Sequence, residues 1–334
     1  MGERTYRRIK VIVMKYIACI IFAAFMSFQG NAQKQKVIFD CDLGGDIDDA
    51  FAVALLLTSQ EECEILGITL GHGNTPGRGE MAMKLLYETG MDHIPVYLGD
   101  HTPTVVGEDT VPEGPSTQMI WSAGFDRIRP GKEHAADFMV RMLNRYPGEV
   151  ILCTVGPVDN IAAMLEKDPH ILKKAKRVVS MLGSIEKGYG GGDPSAEWNV
   201  RGNIRAAKML LQSGANLTLA PLDVTDHVIL GDDYLLAVAM RNTPLTAALG
   251  SFYALWYRHA DWAVTPKMFD GAALGMILWP DLYTTRKAFV YVDEQGYTRV
   301  DESREPNCTV GVTIQDREFI DRMVRRILEQ DLGR

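Results

Sequence analysis

The sequence predicts an α/β fold, a Rossmann-like, mostly parallel central sheet flanked by helices, and three observations point there. From residue 36 onward, short runs rich in Val, Ile and Leu alternate with longer helical patterns, the mark of βαβ units. Several of those runs are apolar throughout, as strands covered on both faces are. An acidic, glycine-containing segment at 40–50 joins the first such run to the first helix, where open α/β sheets place their ligands. Hydrophobic residues make up 46% of the 334, enough for one large domain with a substantial core.

Taken in order, residues 37–39 are expected as the first strand and 50–57 as an apolar helix behind it. A second strand at 65–70 precedes a helix at 80–88. Residues 95–98, 150–154 and 178–182 read as further buried strands, 203–211 as a helix stopped by Gly214, and 217–222 as another strand. Asp293-Glu294-Gln295-Gly296 is expected to turn a hairpin between 288–292 and 297–300. An amphipathic helix at 319–328 closes the chain. No repeat or low-complexity linker divides 33–334, so one domain is expected there.

Residues 1–32 read differently. Arg4, Arg7, Arg8, Lys10 and Lys15 lead into an apolar stretch at 16–28, which gives way to Gly30-Asn31-Ala32. A positive start, a short apolar middle and a small residue before a polar one form a secretory signal. A membrane span needs about 20 apolar residues, so the stretch is short for an anchor, the alternative reading. Met14 offers a second start site. Export is therefore expected, to the periplasm or beyond it, with no stable membrane span once the signal is removed. Cys41, Cys63, Cys153 and Cys308 show no CxxC spacing and are expected as buried thiols rather than zinc ligands. The formal charge is −8, without a basic run. That argues against a nucleic-acid partner but not against a neutral small molecule.

The segment Asp40-Cys41-Asp42-Leu43-Gly44-Gly45-Asp46-Ile47-Asp48-Asp49-Ala50 carries five carboxylates in ten residues. Such groups repel one another unless a cation joins them. Oxygen donors without nearby His or paired Cys favour Ca²⁺ or Mg²⁺ over zinc. Helix capping would account for Asp46, Asp48 and Asp49 but not for Asp40 and Asp42 at the strand end. Asp46 is the member expected to act only as a cap.

This block resembles the N-terminal signature of the nucleoside hydrolase family, DxDxGxDDA, with two additional residues between its acidic halves. Five more segments follow in the family's order over nearly the whole chain after residue 32. They are Gly73-Asn74-Thr75; Val155-Gly156-Pro157-Val158-Asp159-Asn160-Ile161-Ala162, similar to a GPLTNIA loop; Ala196-Glu197-Trp198-Asn199, similar to AEFN; Pro221-Leu222-Asp223-Val224-Thr225, similar to an LDVT strand; and Phe269-Asp270-Gly271-Ala272, at the position of an HDP element. The resemblance implies a nucleoside hydrolase fold that cleaves ribonucleosides or related N-ribosides to ribose and free base. It implies a Ca²⁺ ion held by Asp42, Asp49, the main-chain carbonyl of Val155 and Asp270, with Asp42 also the general base for the attacking water. Asp48, Asn74, Glu197 and Asn199 would hold the ribose hydroxyls. A homo-oligomer, dimer or tetramer, is implied as well.

The residue types suit that chemistry. Breaking an N-glycosidic bond builds positive charge on the sugar, which nearby carboxylates stabilise. Each residue also has an ordinary reading: Asn74 as a turn residue, Glu197 and Asn199 as solvated loop residues, Asp270 as a helix N-cap.

Three departures from the family stand out. Phe269 occupies the position where the family often has a His that helps protonate the leaving base. The loop Gly190-Gly191-Gly192-Asp193-Pro194-Ser195 lacks the usual Asn, and 111–125 lacks the HGxxGLG pattern. Help for the leaving group would then come from another acid such as His72, Tyr257 or His259, from aromatic stacking, or from a substrate that needs none. Tyr253 and Trp256 on the same helical stretch read as core packing. Two other function classes compete: a Mg²⁺-dependent phosphatase of the haloacid dehalogenase type, which also ends its first strand in DxD, and an exported nucleoside-binding protein without turnover.

Overall fold

The computed structural model describes residues 33–102, 104–106, 109–111, 117–259 and 265–334. The expected signal segment lies outside them, and Gln35–Arg334 forms one compact unit. The first half runs β1 (Gln35–Cys41), α1 (Asp48–Leu57), β2 (Cys63–Leu70), α2 (Thr75–Glu88) and β3 (Val96–Leu98). A small antiparallel pair, β4 (Thr104–Val106) and β5 (Asp109–Val111), precedes α3 (Ala135–Arg145), β6 (Val150–Thr154), α4 (Asp159–Lys167) and β7 (Arg177–Met181). Next come α5 (Trp198–Gly202), α6 (Ile204–Gln212), β8 (Leu217–Ala220), α7 (Leu222–Thr225), α8 (Asp232–Arg241), α9 (Pro244–His259) and α10 (Phe269–Leu278). The chain closes with β9 (Tyr283–Ala288), β10 (Val290–Val292), β11 (Thr298–Val300), β12 (Cys308–Ile314) and α11 (Asp316–Glu329).

Eight strands form the central sheet in the order β3-β2-β1-β6-β7-β8-β12-β9. Neighbours pair in parallel except β9, which runs antiparallel to β12 at the edge. The chain winds outward from β1 through β2 to β3, then returns to the other side of β1 with β6. The carboxyl ends of β1 and β6 therefore flank a topological switch point, where the diverging connections leave a crevice.

The core explains the apolar strand runs. Val37, Phe39 and Cys41 of β1 pack on one face with α1 and α10, while Ile38 packs on the other with α3 and α4. Both faces of the strand are covered, so it reads as continuously apolar. All ten residues of α1 are buried, as are Asp270 through Ile277 of α10. Helices buried all round have no polar stripe, and the carboxylates at their first turns therefore lie inside the molecule.

Several expectations hold and some do not. The hairpin forms between β10 and β11, with Gly296 in the left-handed region at φ 85 and the Asp293 carboxylate accepting from the Gln295 and Tyr297 amides. Asn203 caps α6, and Gly214 lies just past its end at φ 70. However, α2 starts at Thr75 rather than 80, because the Asn74 side chain accepts from Gly77 N at 3.0 Å and Pro76 suits the first turn. The strand expected at 217–222 stops at Ala220. Pro221 turns the chain and Leu222–Thr225 is helical, so the LDVT-like segment is a turn of helix here. Cys41, Cys63, Cys153 and Cys308 are free and buried. No helix among the described residues is long and apolar enough to cross a membrane.

Candidate active site

The loop after β1 carries the acidic segment across the switch point, and three neighbours fix its course. Gly44 takes φ 101, a conformation open to glycine at no steric cost. The buried Gln118 donates from Nε2 to the Gly45 and Asp46 carbonyls, at 3.0 Å each. The buried Arg78 donates from Nη1 to the carbonyls of Asp42 and Leu43, and from Nε to that of His72 at 2.8 Å. Across the crevice, Gly156 follows β6. A Cβ there would stand 2.5 Å from Asp42 Oδ1, so the carboxylate occupies space that only glycine leaves open.

Behind that loop, the first turns of α1 and α10 converge. Carboxylate oxygens of Asp48, Asp49 and Asp270 lie within 4.8 Å of one another, all three residues buried. Asp270 N donates to Asp48 Oδ2 at 3.1 Å, whereas Asp49 Oδ1 is buried without a hydrogen-bond partner. Burial first, then the neighbouring carboxylates, push all three well above the ordinary carboxylate range. Asp42 is among those neighbours for each, and Arg78 offsets part of the repulsion at Asp49. Helix N-termini favour negative charge only modestly. A buried orphan oxygen among oxygen-only donors fits a hard divalent cation. The structure thus brings Asp49 and Asp270 together as expected and adds Asp48, which the family resemblance assigns to ribose. Asp42 faces the group electrostatically but stands outside the 4.8 Å cluster.

The remaining two acids differ. Asp40 points into the sheet and accepts from Thr69 Oγ1 at 2.7 Å, Asn160 Nδ2 at 2.8 Å and Thr154 Oγ1 at 3.1 Å. Burial pushes it up to about 6 against these three donors. It ties the ends of β1, β2 and β6 to α4 and is no ligand. Asp46 is not a simple cap, contrary to expectation. Ile47 is the residue at the N-cap and makes no side-chain cap bond, while Asp46 Oδ1 accepts from the adjacent Ile47 N at 2.6 Å. The Asp46 carboxylate is raised by burial and feels the Trp256 indole, Asp42 and Lys267. Trp256 is core packing, as expected, and its N–H makes no well-formed hydrogen bond despite facing Asp46.

Of the residues expected at the ribose, Asp48, Glu197 and Asn199 are buried rather than solvated, and Asn74 is half-buried. Glu197 caps α5, accepting from Asn199 N at 2.7 Å, Gly183 N at 2.9 Å and Val200 N at 3.2 Å. Burial still pushes it up to about 7. Asn199 Nδ2 donates to the Val155 carbonyl at 2.8 Å and to that of Met181 at 3.1 Å. The expected main-chain ligand is thereby oriented by an expected sugar contact. Asn74 is the N-cap of α2, directly after two left-handed residues, His72 at φ 60 and Gly73 at φ 62.

At the expected leaving-group end, Phe269 opens α10 next to Asp270. Its ring meets the Tyr189 ring edge-on, centroids 6.3 Å apart at 80°, and the Lys267 ammonium lies 5.9 Å from its centroid. Lys267 pairs with Asp226 at 2.6 Å, and Asp226 also accepts from Gly190 N at 2.9 Å. Tyr189, which the sequence did not single out, therefore belongs to this end. Tyr257 is 52% exposed and stacks near Tyr253. His72 is buried, with Nδ1 3.0 Å from Asp159 Oδ2, and its Nε2 has no partner. Asp159 is held in turn by Asn203 Nδ2 at 2.5 Å. The side chain of His259 lies outside the described residues.

Comparison with known proteins agrees with this geometry. The model of the family described as inosine-uridine preferring nucleoside hydrolase matches residues 37–321. The pyrimidine-specific ribonucleoside hydrolase RihA of Citrobacter koseri is 31% identical over 315 residues, covering 87% of this chain and 97% of that protein. Uridine nucleosidase 1 of Arabidopsis thaliana is 30% identical over 270 residues, covering 78% and 79%. The solved structure of a plant nucleoside hydrolase, PpNRh1, shares the fold at a TM-score of 0.76 with 24% identity, covering 89% of this chain and 99% of that one. With the family model spanning most of the chain and the acidic cluster at the switch point of the sheet, this protein belongs to the inosine-uridine preferring nucleoside hydrolase family and is a hydrolase of ribonucleoside N-glycosidic bonds.

Proposed function

We propose that the protein is an exported, Ca²⁺-dependent ribonucleoside hydrolase that prefers pyrimidine nucleosides, uridine first. The observation that carries the metal is the buried trio Asp48, Asp49 and Asp270 with the unpartnered Asp49 Oδ1. Asp49, Asp270, Asp42 and the Val155 carbonyl would hold the cation, with Asp48 beside them. When bound, Ca²⁺ supplies a fixed positive charge that orients and acidifies a water. Asp42 takes that water's proton. Asp48, Asn74, Glu197 and Asn199 bind the sugar hydroxyls, and the carboxylates stabilise charge growing at C1′. The pyrimidine preference rests on the activities named for the relatives in Citrobacter koseri and Arabidopsis thaliana. Export rests on the basic, apolar and small-residue order of residues 1–32, and self-association as a dimer or tetramer on the family likeness.

The test is a screen of the purified mature chain with Ca²⁺ against uridine, cytidine, inosine and nicotinamide riboside, read as reducing sugar. Release of ribose, fastest from a pyrimidine nucleoside, is expected. Tight nucleoside binding without any ribose would instead favour an exported binding protein.

A further inference from the structure

Phe269 has no acidic hydrogen to give a departing base, so any proton donor must lie elsewhere. The geometry points to Tyr189 as the group that donates its hydroxyl hydrogen to the leaving heterocycle. The inference rests on the ribonucleoside hydrolase activity. Tyr189 contacts Phe269 edge-on, so its ring continues the wall that Phe269 begins. Its hydroxyl is anchored by accepting from Trp198 N at 3.0 Å, and Trp198 follows Glu197 of the sugar site. No acceptor for the hydroxyl's own hydrogen is found among the described residues. The oxygen is thus fixed through its acceptor side with its donor side unused.

The residue as a whole is 46% exposed, and the surrounding chain desolvates its hydroxyl in part. Burial, then the carboxylates of Glu197, Asp226 and Asp46, raise the phenol strongly. The raised phenol is a weaker acid than a free tyrosine, so its hydrogen moves only as negative charge builds on the departing heterocycle. The backbone is held as well. Gly190 N bonds Asp226, which pairs with Lys267 beside Phe269. This latch ties the glycine-rich loop to the segment that leads into α10. The other candidate donors among the described residues are less well placed. The Lys267 ammonium is engaged by Asp226, Tyr257 faces solvent, and His72 is buried with its ring held by Asp159.

In the reaction, the C1′–N bond breaks and its electron pair goes to the heterocycle. The Tyr189 hydrogen passes to the heterocycle as that charge develops. C1′ takes the water oxygen, and Asp42 takes the water's proton. Asp42 then releases a proton to solvent and the Tyr189 phenolate recovers one, so one water is consumed per bond cleaved.

The experiment compares uridine with p-nitrophenyl riboside, whose leaving group departs without protonation. General-acid help is worth roughly 10²–10⁴-fold. Tyr189→Phe, which keeps the ring, should therefore lower kcat on uridine by about 100-fold or more, and on p-nitrophenyl riboside by less than about threefold. Adding Phe269→His to Tyr189→Phe should restore part of the uridine rate while leaving the nitrophenyl rate alone. Equal losses on the two substrates would mean that Tyr189 only shapes the loop, and an unchanged uridine rate would mean another donor; either overturns the proposal. A wild type that cleaves neither substrate would overturn the hydrolase reading and the donor with it.

Discussion

Asp42 and Gly156 face each other across the switch point with no space to spare. Alanine at 156 is conformationally ordinary, but its Cβ would fall 2.5 Å from Asp42 Oδ1 and push the carboxylate aside. A displacement of about 1 Å at a reacting group costs on the order of 10²-fold in rate. Gly156→Ala should therefore fold normally by circular dichroism and lose about 100-fold or more in kcat. Glu197 offers a second check at this scale. Its folded value of about 7 exceeds its ordinary 4.5, with burial the main cause. The folded protein then holds a proton that the unfolded chain has already released between those values. In the cation-free protein, stability should fall as pH rises from about 4.5 to about 7, by up to one proton's worth of slope. Urea midpoints across that range should show a shallower decline for Glu197→Gln than for wild type. The acidic motif and the order of the six segments make Asp42, Asp49, Asp270, Glu197 and Asn199 visible in the sequence as candidates. Tyr189, Gln118 and Arg78 are not, because each reaches the site through tertiary folding with no local pattern around it.

Helices α1 and α10 bring three carboxylates to one point, and the arrangement is costly in the absence of a cation. Asp270→Asn removes one charge from a buried like-charge group and keeps the side chain's volume. In excess chelator its melting temperature should equal or exceed that of wild type. With Ca²⁺ present, the wild type should rise and the variant should not follow. A variant that is less stable than wild type in chelator would show that Asp270 serves the fold rather than a cation. Elements such as α1 and the β10–β11 hairpin could be read in advance because their apolar run or turn residues act locally. The start of α2 could not, since the Asn74 cap overrides the glycines and proline of its first turn. The end of β8 was misread for a related reason: Pro221 and the Asp223 carboxylate, which accepts from Ile185 and Glu186 amides at 2.8 and 2.7 Å, favour a helical turn over a longer strand.

For the whole molecule, the parallel sheet was legible because strands buried on both faces are apolar throughout, and the position of the acidic segment after β1 located the crevice. The far side of the sheet was not. β9 is an edge strand with mixed burial, and β12 pairs in parallel with β8 from some ninety residues away; such pairing leaves little local trace. What unites the scales is the proposed cation at the switch point, on which the charge balance of the core and the turnover would both depend. Calorimetric titration of Ca²⁺ into chelator-stripped protein, with uridine hydrolysis followed over the same concentrations, tests this most directly. One ion per chain should bind, restoring turnover in parallel and adding about 2.7 kcal/mol of stability at a hundredfold excess over Kd. Full turnover in excess chelator, with no heat of Ca²⁺ binding, would contradict it.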